Sequence, residues 1–119
     1  MTEASKHSAG CHCGRVRYDV IVPLDRVMSC DCSICQKRGS LLTFVKLDAF
    51  NLLSGDDALT DYQVNKKIIH HPFCKICGVG SFARGRSPDG SEMVAVNVRC
   101  LDDVDLAGLE IVRFDGKSR

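Results

Sequence analysis

The 119-residue chain predicts one compact all-β domain. Three observations carry this. Short β-branched and partly alternating runs recur between turn residues. No segment keeps a 3.6-residue apolar period for three turns, so a long amphipathic helix is not expected. The cysteines gather in tight, turn-like clusters between the candidate strands.

Taken in order, residues 15–22 (Arg-Val-Arg-Tyr-Asp-Val-Ile-Val) form the first expected strand, closed by Pro23. Leu41 to Leu47 reads as a second and Phe50 to Leu53 as a third, ended by Ser54-Gly55. Leu59 to Val64 and Lys67 to His70 are expected to pair across Asn65-Lys66. Val79 to Ala83 is a short strand, and Ser87-Pro88-Asp89-Gly90 is a strong turn signal. Met93 to Val98 completes a hairpin across that turn, Leu101 to Leu109 holds at most one helical turn, and Leu109 to Phe114 is the last strand. Residues 1–9 read as a flexible N-terminal segment of a single domain spanning 1–119.

Composition narrows the function classes. Sixteen Lys and Arg face fifteen Asp and Glu, for a net charge of +1, and aromatics are 6% with no Trp. A nucleic-acid reader needs a basic stripe or stacking platforms, and neither is present, so no nucleic-acid partner is expected. No apolar run approaches the roughly 20 residues of a membrane helix, and residues 1–10 lack a hydrophobic signal region. A cytoplasmic protein without membrane contact is the expectation. Eight cysteines are many for such a compartment, where clustered thiols serve as metal ligands or catalysts more often than as disulfides.

Seven of the eight fall in three clusters: Cys11-His12-Cys13-Gly14, Cys30-Asp31-Cys32-Ser33-Ile34-Cys35 and Cys74-Lys75-Ile76-Cys77-Gly78. A tetrahedral zinc with Zn–S near 2.3 Å holds its sulfurs about 3.8 Å apart, so sequence neighbours must bend round the ion. Glycine after each pair, Gly14 and Gly78, suits the left-handed backbone such a turn requires. Cys11, Cys13, Cys74 and Cys77 together predict a closed structural zinc site whose binding energy contributes to folding. A redox C-x-x-C is the competing reading, but it wants a βαβ context that this chain lacks.

The middle cluster offers Cys30, Cys32 and Cys35 from one short loop. Three ligands capping one face of a metal leave a fourth position open, as catalytic zinc sites do. Three thiolates against Zn²⁺ give a weak Lewis acid and a good platform for an exchangeable thiolate; water activation is the competing use. Cys100, His12, His70 or His71 could instead close the site, which would make it structural, and iron is a further possibility.

The order C-x-C-G, C-x-C-S-x-C-x-K-x-G and F-C-x-x-C-G, here Cys11–Gly14, Cys30–Gly39 and Phe73–Gly78, resembles the glutathione-dependent formaldehyde-activating enzyme family. The stretches Asn97 to Asp102 and Phe114 to Lys117 resemble its short, one-domain members. The resemblance implies a Mss4-like fold of several coiled antiparallel sheets, with Cys11, Cys13, Cys74 and Cys77 on a structural zinc and Cys30, Cys32 and Cys35 on a catalytic one. Two Zn²⁺ per chain are thus implied. So is a carbon–sulfur lyase that, in reverse, condenses formaldehyde or a related aldehyde with glutathione or a similar thiol to an S-hydroxymethyl adduct. The alternative is a non-catalytic zinc module that binds a protein partner.

Glutathione is anionic, so basic residues near the middle cluster are candidate contacts. Lys37 leads because it sits in the shared motif, with Arg38, Arg84 and Arg86 behind it. His70 and His71 read either as a proton shuttle or as a strand end packed beside the structural zinc. Cys100 reads as a small buried hydrophobe or as a nucleophile. Phe44 and Tyr62, as strand aromatics, are expected in the core.

Overall fold

The computed structural model describes residues 4–24, 26–30, 33–64, 69–87 and 89–114, and within these the side chains of residues 30, 33, 35, 63, 64, 69 and 114 are not described. The expected mainly β architecture is found. Ten strands follow in order among the described residues: β1 (Ser5–Gly10), β2 (Arg17–Val22), β3 (Arg26–Cys30), β4 (Leu41–Lys46), β5 (Phe50–Ser54), β6 (Leu59–Val64), β7 (Ile69–Cys74), β8 (Phe82–Arg86), β9 (Glu92–Asn97) and β10 (Glu110–Phe114). One short helix, α1 (Ser33–Arg38), joins β3 to β4. The strands build a three-stranded sheet, β1-β2-β5, and a seven-stranded sheet, β10-β3-β4-β9-β8-β7-β6.

Period-two alternation sets what each strand buries. Along β2, Tyr18, Val20 and Val22 are buried while Ile21 faces solvent. Val94 and Val96 do the same on β9, and these side chains meet Val16, Leu41, Val45 and Phe82 in one core between the sheets. Tyr18 ties the layers together. Its ring lies 4.8 Å from that of Phe50 and 5.6 Å from that of Phe82, and its hydroxyl donates to the Ser81 carbonyl at 2.8 Å. Burial pushes that phenol well above its usual range.

Several expectations are met and several are corrected. The hairpins β6–β7 and β8–β9 pair antiparallel as anticipated; the Asn65-Lys66 connection lies outside the described residues. Residues 5–9 are not a flexible segment. They belong to β1, which pairs along its whole length with β2 and bridges from Ala9 to Leu101. The sheets are not all antiparallel either: β10 runs parallel to β3, because the chain returns to that outer edge only after a crossover through β4 to β9. The strand expected over 79–83 starts at Phe82, since the Val79 carbonyl is taken by the Cys74 N–H at 3.1 Å. Phe44 and Tyr62 are 47% and 54% exposed rather than in the core. Both lie on the face of the large sheet turned away from the Val94–Val96 layer, as their register partners Ala95 and His71 show. No described helix is long and apolar enough to cross a membrane.

Candidate metal centre and the second cysteine cluster

The first cluster opens where β1 ends. The Cys11 N–H donates to the Val16 carbonyl at 3.0 Å, and the Val16 N–H returns to the Cys11 sulfur at 3.4 Å. This closes a six-residue loop, with Gly14 at φ 85° turning the chain. The third cluster caps β7. Here the Gly78 N–H donates to the Cys74 carbonyl at 2.7 Å, and Gly78 takes φ 81°, a left-handed value that a side chain would strain. The Lys75 N–H reaches the Ala58 carbonyl at 2.8 Å, anchoring the turn to the start of β6.

These two loops bring Cys11, Cys13, Cys74 and Cys77 together, with all four sulfurs within 4.8 Å of one another. Cys11 and Cys13 sulfurs are 3.6 Å apart and Cys13 and Cys74 sulfurs 3.7 Å. Such spacing is near the 3.8 Å or so of thiolates sharing a tetrahedral zinc and far from a disulfide bond. The electrostatics fit the same donor set. Backbone N–H groups of Val79 and Cys13 bring Cys77 down to about 6. The Arg15 N–H favours the Cys13 thiolate, yet desolvation and the three neighbouring sulfurs push Cys13 up to about 11. Four clustered thiols cannot all ionise without a cation among them, and a divalent ion removes that conflict. The site could hold a metal such as zinc.

The second cluster straddles the β3–α1 junction. Cys30 ends β3 and Cys35 lies on α1. Cys32 lies outside the described residues, as do the side chains of Cys30 and Cys35. Ile34, between them, packs on Leu42 and Ala95 together with Ala83. This fixes α1 on the sheet face opposite the main core. Lys37 is exposed, with no hydrogen bond or ion pair among the described residues. Arg38 lies against Gly80. His71 is only 7% exposed; its imidazole is held below its ordinary pKa, first by burial and then by the Arg38 charge.

Other candidates are not brought to this cluster. Arg84 and Arg86 lie on the opposite sheet face, 3.6 and 3.9 Å from Glu92. They line an open groove of about 570 Å³ with Phe50, Phe82, Pro72 and the Asp61–His70 pair, whose Nδ1–Oδ2 distance is 2.6 Å. Cys100 sits half-buried after β9, its thiol pushed up to about 11 by burial and by the nearby Cys11 and Cys77. His12 is exposed. His71 is packed within β7, in keeping with the strand reading of the His70-His71 pair. The Arg38–Gly80 contact was not anticipated, and its one sequence signal is a glycine free of any turn, two residues beyond Gly78.

The profile of the glutathione-dependent formaldehyde-activating enzymes matches residues 6–112. This chain belongs to that family. All three cysteine clusters fall inside the matched region. A crystal structure of a Rhodobacter sphaeroides protein is similar at 28% identity and a TM-score of 0.74, covering 88% of this chain and 99% of that one. The family assignment brings glutathione and formaldehyde chemistry in general terms, with both as small-molecule partners.

Proposed function

We propose that this member of the formaldehyde-activating family is a zinc-dependent carbon–sulfur lyase. It joins formaldehyde, or a related aldehyde, to glutathione or a similar thiol, and reverses the same step. In the forward direction the thiol sulfur bonds to the aldehyde carbon, the carbon–oxygen π bond opens, and the thiol proton ends on the new hydroxyl. Cys11, Cys13, Cys74 and Cys77 hold the structural zinc; Cys30, Cys32 and Cys35 hold the catalytic one. The observation that carries the reading is the family match across residues 6–112, which includes the three-cysteine cluster.

A zinc held by three thiolates supplies a position at which a substrate thiolate is kept ionised and close to the aldehyde, a proximity gain. This chain's own residues do the rest. Cys30 ends β3 and Cys35 lies on α1, and Ile34 pins α1 to the sheet. His71, on the same face as its register partner Tyr62, is kept neutral at pH 7 by its burial and by the Arg38 charge.

The test is formaldehyde–glutathione exchange followed by NMR at equilibrium, with zinc-loaded protein and a Cys32→Ser variant. Exchange faster than buffer, lost in the variant while one zinc per chain remains, supports the assignment. A sample holding two zincs that does not accelerate exchange refutes it and leaves a zinc module for a protein partner.

A further inference from the structure

Arg38 is the last residue of α1, three positions after Cys35. A Cβ built on Gly80 would meet its Nη1 at 2.9 Å, Cζ at 3.0 Å and Nη2 at 3.1 Å. Three guanidinium atoms at nearly one distance mean that the group lies flat over the glycine. Its face is therefore covered and its N–H edge is left for a planar partner.

No carboxylate supplies that partner among the described residues. Arg17, Arg26, Arg84 and Arg86 all face one, at Asp102, Glu110 and Glu92. Arg38 does not, and its charge reaches the buried His71, whose protonation it opposes. Among the described residues no ion pair engages the Arg38 guanidinium, and the one carboxylate acting on His71 with it, Asp61, is paired with His70. An anion arriving at the α1 end would be stabilised by the guanidinium charge without having to displace an existing ion pair.

We propose that Arg38, held flat by Gly80, binds a carboxylate of the thiol substrate, so that the site selects small acidic thiols over neutral ones. This rests on the reading that the chain joins a thiol to an aldehyde. Lys37, the leading candidate from sequence, is not the anchor: it is exposed and not oriented by any hydrogen bond or ion pair among the described residues. Gly80 is a positioning residue. A methyl group there displaces the guanidinium without removing its charge, and the atoms it meets are the far end of a flexible side chain, so the fold is kept.

The experiment is calorimetric titration of zinc-loaded wild type, Arg38→Gln and Gly80→Ala with S-methylglutathione and with its diester. The blocked sulfur neither reacts with aldehyde nor binds as a thiolate, so carboxylate capture is read apart from the reaction. Wild type is expected to prefer the diacid about tenfold, in line with one charge-assisted pair. Arg38→Gln should abolish that preference, and Gly80→Ala should reduce it with melting unchanged. With glutathione as exchange substrate, KM should rise about tenfold in Arg38→Gln while kcat holds. The proposal is overturned if wild type binds acid and ester alike or not at all, if Arg38→Gln keeps the preference, or if Lys37→Gln alone loses it. Acid-selective binding through Arg38 without accelerated exchange would remove the lyase and leave the anion site. Accelerated exchange with preference intact in Arg38→Gln would remove only the anion site.

Discussion

Replacing Gly10 by alanine tests how the first cysteine loop is held. A Cβ at Gly10 would fall 2.2 Å from the Val16 carbonyl oxygen, where real contacts stay beyond 3.0 Å, so that oxygen must retreat by at least 0.8 Å. The same oxygen accepts the Cys11 N–H at 3.0 Å, and the Val16 N–H bonds the Cys11 sulfur at 3.4 Å. The clash is therefore transmitted to both contacts that orient Cys11. An unpaired buried backbone group costs about 1–3 kcal/mol. With the accompanying backbone shift, about 2–4 kcal/mol is expected, or a drop in Tm of about 10 °C for a chain this size. The assay is thermal unfolding of zinc-loaded protein, together with the rate of zinc release to a chelator, which should rise. Gly108→Ala, where a Cβ meets nothing within 4 Å, is the control and should move Tm little. A Gly10→Ala protein melting within about 2 °C of wild type, with unchanged zinc release, would refute the reasoning.

Three further outcomes are expected. Asp102 is held below the usual carboxylate range by the Arg17 guanidinium, whose Nη2 lies 2.5 Å away. Its contribution is thus present above the ordinary pKa of 3.8 and fades as pH falls through the depressed value. For so exposed a pair, Asp102→Asn should cost at most about 1 kcal/mol at pH 7, and urea unfolding at lower pH should show that difference shrinking. His71 should titrate below 6.5 by proton NMR, and its pKa should rise in Arg38→Gln, since the Arg38 charge is one cause of the depression. A depressed histidine costs stability as pH falls below 6.5, so the wild type should weaken there more than that variant. Cys100, pushed up to about 11, should react slowly with iodoacetamide at pH 7 in the zinc-loaded protein, as read by mass spectrometry.

What could be read from sequence follows from how local each feature is. The four-sulfur site was legible because C-x-C-G and C-x-x-C-G carry their own turn geometry, and Gly14 and Gly78 turn as their places in the motif require. The β8–β9 turn was legible for a similar reason: Asp89 accepts the Ser91 N–H at 2.9 Å and the hydroxyls of Ser87 and Ser91. β1 was not legible, because Ser-Lys-His-Ser-Ala-Gly has no strand pattern of its own and is extended only by its ladder to β2. α1 spans six residues, too few for a helical period to show. Arg38 and Gly80 meet only because α1 docks on the large sheet, a tertiary fact that neither residue's neighbours encode.

The parallel pairing of β10 with β3 has a practical side. Its register sets Phe114 opposite Cys30, so the last described strand splints the strand that delivers the middle cysteine cluster. Trimming the chain at Leu109 would strip that splint and leave β3 with a bare outer edge beside the cysteines. A fusion partner joined tightly at Phe114 would pull on the same ladder. Loss of activity in a tagged preparation would then be a mechanical fault at the far end of the chain, repaired by a longer spacer, whereas a clipped one would need β10 restored, with every cysteine still in place in both.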